Sequence, residues 1–387
     1  MTPDPLIDRQ EYAALVACTY LNQASLGLIP RVSIEASTRF LTDVAQHGNL
    51  HLSDQAEAEI LDALRTAASG LLGAPAGSIA VVGGASEGLG QVAAMLSARG
   101  GEAVLVSGDF PSVTWPWLAA RERSGMRIRW VREAAGEDLT QSLIDAVGER
   151  ATVVCVSAVQ YSTGTRVDVG ALVTRARSAG ARVVVDVTQM AGADPIDMQA
   201  WGVDALVCSG YKWLSAPGGV ALLALSEELA AAVPPLVGWK GSATPFDFTP
   251  QELSLAPDAR RFELSTISYS AAAGLLASIR LLTERGLDSI REHAERLAAS
   301  LVARTAPFGW APYRPLTDPS ASGHLVSLRH PTAGIEDVQA ALVDEHRIVT
   351  STRGGGIRVS LHAYNSEDDV RALADALAAL PGRRGRV

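Results

Sequence analysis

Seven short candidate strands between residues 79 and 225, most of them continuously apolar, constrain this chain more than any other feature. They cover residues 79–82, 103–106, 127–131, 152–157, 182–186, 205–208 and 220–225, and most are separated by helical patterns. Runs that are continuously apolar, rather than alternating, read as strands buried on both faces. Strands alternating with helices place those strands in a mostly parallel sheet with helices on both sides. The expected fold class is therefore α/β, with a mostly parallel seven-stranded sheet. The last two runs are joined only by residues 209–219, too short for a helical crossover, so at least one neighbour must be antiparallel.

The flanking sequence reads differently. Residues 1–20 form an arm that leads into the irregular stretch Tyr20-Leu21-Asn22-Gln23-Ala24-Ser25. Helical patterns run from about 31 to 46 and from Ser53, a candidate N-cap, to about 72. Residues 233–258 are rich in Pro, Gly, Phe and Thr, a long irregular segment of the kind that usually carries function. Beyond it come helices at 269–285 and 286–305, a strand at 323–328, a helix at 335–345, a strand pair around 348–351 and 356–361, and a final helix from Ser366. The expected division is an arm at 1–20 packing with a smaller C-terminal α+β domain at 259–387, and a large domain at 21–258.

Composition narrows the possible partners. The net charge of −9 over 387 residues argues against nucleic acid or an anionic membrane surface. No apolar run approaches the roughly 20 residues of a membrane span, and Met1 to Pro5 show no basic and apolar leader pattern. The three cysteines, Cys18, Cys155 and Cys208, cannot form an even disulfide set, and two lie in predicted strands. That fits a reducing, cytoplasmic setting.

Four turns at predicted strand ends carry chemistry, and in open α/β sheets ligands bind at the carboxyl ends of the strands. Gly83-Gly84-Ala85-Ser86-Glu87-Gly88 leads from a strand into a helix, and its backbone N–H groups would favour a phosphate; Ser86 also fits a plain helix cap. In Asp109-Phe110-Pro111-Ser112 the aromatic ring can cover a flat ligand or fill core. Asp186, with Gln189 after it, is a strand-end carboxylate that needs a partner, such as a protonated ring nitrogen or a local turn. Ser209-Gly210-Tyr211-Lys212-Trp213 places a lysine between two buried strands, either snorkelling from a strand end or desolvated into a nucleophile. A phosphate cup, a ring cover, a ring-nitrogen carboxylate and a nucleophilic lysine, in that chain order, describe a pyridoxal 5'-phosphate (PLP) site.

On these motifs the chain resembles fold-type I PLP-dependent enzymes of the class V aminotransferase family, the group of cysteine desulfurases, kynureninase and isopenicillin N epimerase. Tyr20-Leu21-Asn22-Gln23-Ala24-Ser25, Arg261-Phe262-Glu263-Leu264-Ser265-Thr266 and Gly356-Ile357-Arg358-Val359-Ser360 add to the resemblance. It implies that Lys212 forms the Schiff base and shuttles the Cα proton. It implies that Asp186 pairs with the pyridinium nitrogen and that Gln189 meets the ring 3-oxygen. Ala85, Ser86, Ser209 and Tyr211 would hold the phosphate, with Thr266 supplied by a partner chain in a homodimer. Phe110 or Pro111 would cover the ring, and Arg358 would bind the substrate α-carboxylate, beside Ser25 and Tyr161. His51 falls in a segment similar to a substrate-side loop, although a solvated loop histidine fits it as well.

One departure bears on the reaction. Desulfurases carry a nucleophilic cysteine before the Arg motif, and here residues 349–356 hold none. The expectation is an enzyme that forms an external aldimine with an amino acid or an amino-acid-bearing conjugate, and acts as a β-eliminating C–S lyase on S-substituted cysteine in specialised metabolism such as antibiotic biosynthesis. The alternatives are an aminotransferase or epimerase, a decarboxylating or oxidative enzyme on an S-cysteinyl conjugate, and, in another class, a non-catalytic regulator of the same fold. No metal is expected.

Overall fold

The computed structural model describes residues 4–380; the ends of the predicted arm and small domain, and the basic stretch after residue 382, lie outside it. In chain order, β1 (Thr19–Tyr20) leads to α1 (Arg31–His47) and α2 (Asp54–Leu72). The alternating region follows as β2 (Ile79–Val82), α3 (Ala85–Ser97), β3 (Glu102–Val106), α4 (Pro111–Ser124), β4 (Arg127–Val131), α5 (Leu139–Ala146), β5 (Ala151–Ser157), α6 (Val169–Ser178), β6 (Arg182–Asp186), α7 (Met198–Trp201), β7 (Ala205–Ser209), β8 (Ala221–Leu225) and α8 (Glu227–Ala231). The C-terminal elements are α9 (Tyr269–Arg285), α10 (Leu287–Thr305), β9 (Ala311–Pro312), β10 (Leu325–Arg329), α11 (Ile335–His346), β11 (Ile348–Val349), β12 (Ser351–Arg353), β13 (Gly356–Ser360) and α12 (Glu367–Ala379).

All seven predicted runs form one sheet, in the order β2-β8-β7-β6-β5-β3-β4. Only β8 runs against the others, pairing antiparallel with both β2 and β7. The short Lys212 segment thus closes a tight antiparallel connection, and Ser86, Phe110, Asp186 and Lys212 all emerge at one end of the sheet. Every residue of β2, β3, β7 and β8 is buried, which is why these strands are apolar but for Glu102 and Ser209 at strand ends. Edge strand β4 departs from that pattern: its first four residues are partly or fully exposed, and Arg129 pairs with Glu102.

The expected strand at 348–351 divides in two. β11 pairs in parallel with β1, while β12 turns to pair with β13. The N-terminal arm is thereby stitched to the C-terminal region, and a four-stranded sheet β12-β13-β10-β9 stands beside it. The two-residue strand β9 is too short to leave a period-2 signal. Helix α9 packs its Ala271, Leu275 and Ile279 into the core that holds the first face of the large sheet, whereas Leu297 and Leu301 of α10 join Val326 and Ile357 in a separate core. The boundary drawn at residue 259 therefore precedes an element that packs with the large sheet. Among the described residues no helix is long and apolar enough to cross a membrane.

Candidate active site

Lys212 is held by its backbone as much as by its neighbours. Gly27 N–H donates to the Tyr211 carbonyl at 2.9 Å, and Gln23 Nε2 donates to the Lys212 carbonyl at 2.9 Å. A Cβ at Gly27 would lie 2.2 Å from the Lys212 carbonyl oxygen, so only glycine permits this approach. Past the lysine, Ser215 is fully buried with φ 53° and closes the turn through its N–H to the Lys212 carbonyl. The Tyr20–Ser25 motif thus serves as a strap across the lysine turn.

The Lys212 ammonium faces a cavity of about 140 Å³, also lined by Ala85, Ser86, Phe110, Tyr161, Asp186, Gln189, Ser209 and Tyr211. Nine of the residues singled out in the sequence therefore converge on one small space. Lys212 is buried, and among the described residues its Nζ makes no hydrogen bond or ion pair within reach of a direct contact. Its nearest ring is Phe110, 5.1 Å from Nζ to the centroid. Burial pulls the lysine down to about 8, against an upward pull from Asp186 and smaller downward ones from Arg358 and Arg353. Neutral amine then makes up roughly a tenth of the population at pH 7, far more than for a free lysine.

Asp186 is buried, and burial raises its pKa while hydrogen bonds from Thr188 and the charge of Lys212 pull it back. Thr188 N–H donates to Asp186 Oδ1 at 2.7 Å, and Thr188 Oγ1 in turn accepts the Ser209 N–H at 3.1 Å. The local-turn reading of Asp186 and the ligand reading hold together, since the turn fixes the carboxylate at the cavity wall. Ser86 is not the cap of α3, because that position is Gly84 and carries no side-chain bond. Its hydroxyl meets Ser112 Oγ at 2.7 Å, and of the first-turn N–H groups of α3 that of Glu87 bonds the Gly84 carbonyl while those of Ala85 and Ser86 have no backbone acceptor among the described residues. Phe110 is partly exposed, edge-on to Tyr161 with centroids 5.3 Å apart, and is no core filler.

Arg358 stands next to the cavity. Its Nη1 donates to the Tyr161 carbonyl at 2.8 Å, its Nη2 to the Ser25 hydroxyl, and its Nε has no partner among the described residues although the side chain is only 1% exposed. Burial, with Arg353 nearby, lowers its pKa to about 10. A buried guanidinium with donor capacity to spare fits a carboxylate. Gln189 is anchored from both sides: it accepts from Trp213 Nε1 at 2.8 Å and donates to the Ala24 carbonyl at 3.1 Å.

Of the four predicted residues that do not line this cavity, Arg358 and Ser25 adjoin it through Tyr161, and Thr266 and His51 are not brought to it within the chain. Thr266 is exposed, on a segment pinned by the buried Glu263, which forks onto Arg65 at 2.6 and 2.7 Å and accepts the Val81 N–H. His51 is exposed and stacks on His47 at 3.8 Å, both rings sharing Asp43.

Other residues that shape the site carried no assigned role in the sequence. Asp109 accepts from the Ser157 N–H at 2.8 Å, the Ser157 hydroxyl at 2.6 Å and the Phe110 N–H at 2.7 Å, so it fixes the turn that carries Phe110. Burial lifts it to about 6 despite those bonds. Its signal was an acidic residue just past a buried strand. His324 bonds the Gln189 carbonyl at 2.6 Å and packs edge-on against Trp213, and burial holds it neutral, down to about 3. No sequence signal links residues so far apart.

The donor set suits PLP. Free helix N–H groups and hydroxyls offer a phosphate cup, a buried carboxylate awaits a cationic ring nitrogen, and a desolvated amine stands between them. The comparisons agree. The fold is that of fold-type I PLP enzymes: the cystine C-S lyase C-DES superposes with a TM-score of 0.87 at 24% identity in complex with cysteine persulfide, covering 95% of this chain and 99% of that one. A mutant of C-DES with glycine covalently linked to its PLP gives 0.88 at 24% identity, over 97% and 100%. The model for aminotransferase class-V matches residues 19–373, and the chain belongs to that family. It is a PLP-dependent enzyme. Among its relatives are the uncharacterized aminotransferase YcbU of Bacillus subtilis, 29% identical over 80% of both chains, and isopenicillin N epimerase of Amycolatopsis lactamdurans, 27% identical over 96% of this chain and 97% of that one.

Proposed function

We propose that the protein is a β-eliminating C–S lyase on S-substituted L-cysteine, which with one water gives a thiol, pyruvate and ammonia. The observation that carries this is the hairpin tip between β12 and β13, which presents Arg353, Gly354 and Gly355 and no thiol. Cys155 and Cys208 are buried within β5 and β7, and Cys18 lies in the N-terminal arm. No cysteine lines the Lys212 cavity to take up sulfur as a persulfide.

When bound, PLP supplies an electron sink for the bond broken at the amino-acid Cα. The residues that would hold it are the N–H groups of Ala85 and Ser86 with Ser209 and Tyr211 at the phosphate, Asp186 at the ring nitrogen, Gln189 at the 3-oxygen and Phe110 over the ring. Thr266 of a partner chain completes the phosphate cup in a homodimer. Arg358 orients the substrate through its α-carboxylate, with Ser25 and the Tyr161 carbonyl fixing the guanidinium plane. The Lys212 amine removes the Cα proton and returns a proton as the Cβ–S bond opens; its lowered pKa lets it do both near neutrality. Asp186, kept ionised by the cation it faces, maintains the ring nitrogen in its protonated state.

The test is to incubate the PLP-loaded enzyme with a panel of S-alkyl and S-aryl cysteines and to assay pyruvate, ammonia and thiol together. All three should form in equal amounts. Keto acid without thiol release would support an aminotransferase, and inversion at Cα with neither thiol nor keto acid would support an epimerase, the second reading that the full-length similarity to isopenicillin N epimerase favours. No pyruvate from any member of the panel would sink the lyase reading.

A further inference from the structure

One guanidinium on the hairpin that carries Arg358 has no carboxylate partner among the described residues. Arg353 is exposed at the tip of the β12–β13 hairpin, where its Nη1 donates only to the carbonyl of its neighbour Thr352, at 2.7 Å. No carboxylate among the described residues pairs with it.

The hairpin register aims it. Ser351 pairs with Arg358 and Arg353 with Gly356. Directly paired residues share a face of the sheet, as do residues two apart on one strand, so Arg353 and Arg358 stand on the same face. The tip is tied beside the cavity. Arg329 Nη2 donates to the Gly354 carbonyl at 2.7 Å, and Gly354 lies against Ser162, a Cβ built on it falling 3.6 Å from the Ser162 Cβ. Ser162 follows Tyr161, whose carbonyl holds Arg358. Arg353 also depresses the pKa of both Lys212 and Arg358, which places its charge within reach of the reacting region. A substrate α-carboxylate needs one guanidinium, and this face offers two.

We propose that Arg353 receives a second anionic group carried on the substrate side chain, so that the site prefers amino acids with a carboxylate or similar oxyanion beyond Cβ, anchored by Arg358 at one end and Arg353 at the other. The inference rests on the amino-acid reading above and adds the side-chain class to it. Arg353 acts on specificity, not on the reacting bonds.

The experiment compares ligands of the same shape and different charge on the PLP-loaded enzyme. S-(carboxymethyl)-L-cysteine is set against S-(carbamoylmethyl)-L-cysteine, and L-glutamate against L-glutamine. Binding is read as the cofactor absorbance change after rapid mixing, alongside initial-rate kcat/KM. The acid of each pair should bind about tenfold more tightly than the amide, as for a charge-assisted contact at a partly solvated position. R353Q should bring the acid down to the level of the amide, and R353K should restore part of the preference, because an ammonium keeps the charge but not the fork. Arg353 is exposed, so these variants should fold as the parent does. A parent enzyme that binds acid and amide equally, or an R353Q variant that keeps the preference, overturns the inference while leaving the amino-acid reading intact. If neither acid nor amide binds to an enzyme that visibly carries its cofactor, the amino-acid reading falls, and this inference with it.

Discussion

The two ends of the large sheet make different use of charge. At the amino ends of β6 and β7, Arg182 pairs with Asp204 at 2.7 Å and with Glu228, and Arg99 also reaches Glu228. A cleft of about 930 Å³ opens there. At the carboxyl ends the cavity is far smaller, about 140 Å³, yet Lys212 and Asp186 on its wall and Arg358 beside it are buried and incompletely compensated. The charges lining the larger cleft include Arg182 and Glu228, which pair with each other and are each held in the charged form by that pairing. In the smaller one burial moves Lys212 down, toward the range where an amine can take and return a proton, and moves Asp186 up, a penalty on its charge that a cationic partner in the cavity would offset. Space alone does not mark a site; unsatisfied, desolvated charge does.

That contrast breaks most visibly at the lysine. Lys212→Ala should lower amino-acid turnover by at least about 10³-fold, the scale of losing a positioned proton shuttle, and should abolish the covalent attachment of PLP seen by absorbance and mass. Turnover at the parent rate would mean that the cavity is misread. Arg358→Gln should raise KM for any amino acid by on the order of 10²-fold with a smaller change in kcat, because a bidentate charged contact is lost. Equal KM values would place the α-carboxylate elsewhere.

A stability measurement sharpens the same comparison through pH. In the cofactor-free protein the folded pKa of Lys212, about 8, lies below its ordinary value of 10.5. The unfolded chain therefore holds the proton more tightly, and the folded state is penalised by a buried cation below pH 8. That penalty should fade as pH rises from 8 to 10.5, by roughly 3 kcal/mol at most. Denaturant titration of parent and Lys212→Met across this range should show the parent gaining on the variant, and parallel curves would contradict the burial argument.

Smaller effects follow. Asp109→Ala strips acceptors from the Ser157 N–H and the Phe110 N–H and should cost about 2 kcal/mol of stability, together with weaker PLP retention. At the opposite end, Glu228→Gln should change the melting temperature little and leave kcat/KM unaltered, since exposed ion pairs contribute little. A strong loss of activity from that change would show that the two ends are coupled after all.

How far the sequence reached depended on whether a feature is local. The apolar runs wrote most of the seven strands, because burial on both faces leaves few alternatives to Val, Leu and Ala; exposed edge strand β4, with Arg127 and Arg129, is the exception. The missing crossover after Ser209 announced a reversed neighbour, and β8 is that strand. The four chemical turns could be read because each is a few residues long and sits at a strand end, where sheet geometry brings such turns together. The arm's pairing with β11, the strap of Gln23 and Gly27 over Lys212, the bond between His324 and Gln189, and the shared face of Arg353 and Arg358 could not be read in this way. Each depends on contacts between distant parts of the chain, or on which side of a strand a residue lies, and neither leaves a period or a motif behind. The sequence determined the kind of chemistry by supplying a lysine, an aspartate and an arginine at strand ends and turns. Only the tertiary structure decided that they would be desolvated together, because desolvation belongs to the packed surroundings and not to any residue by itself.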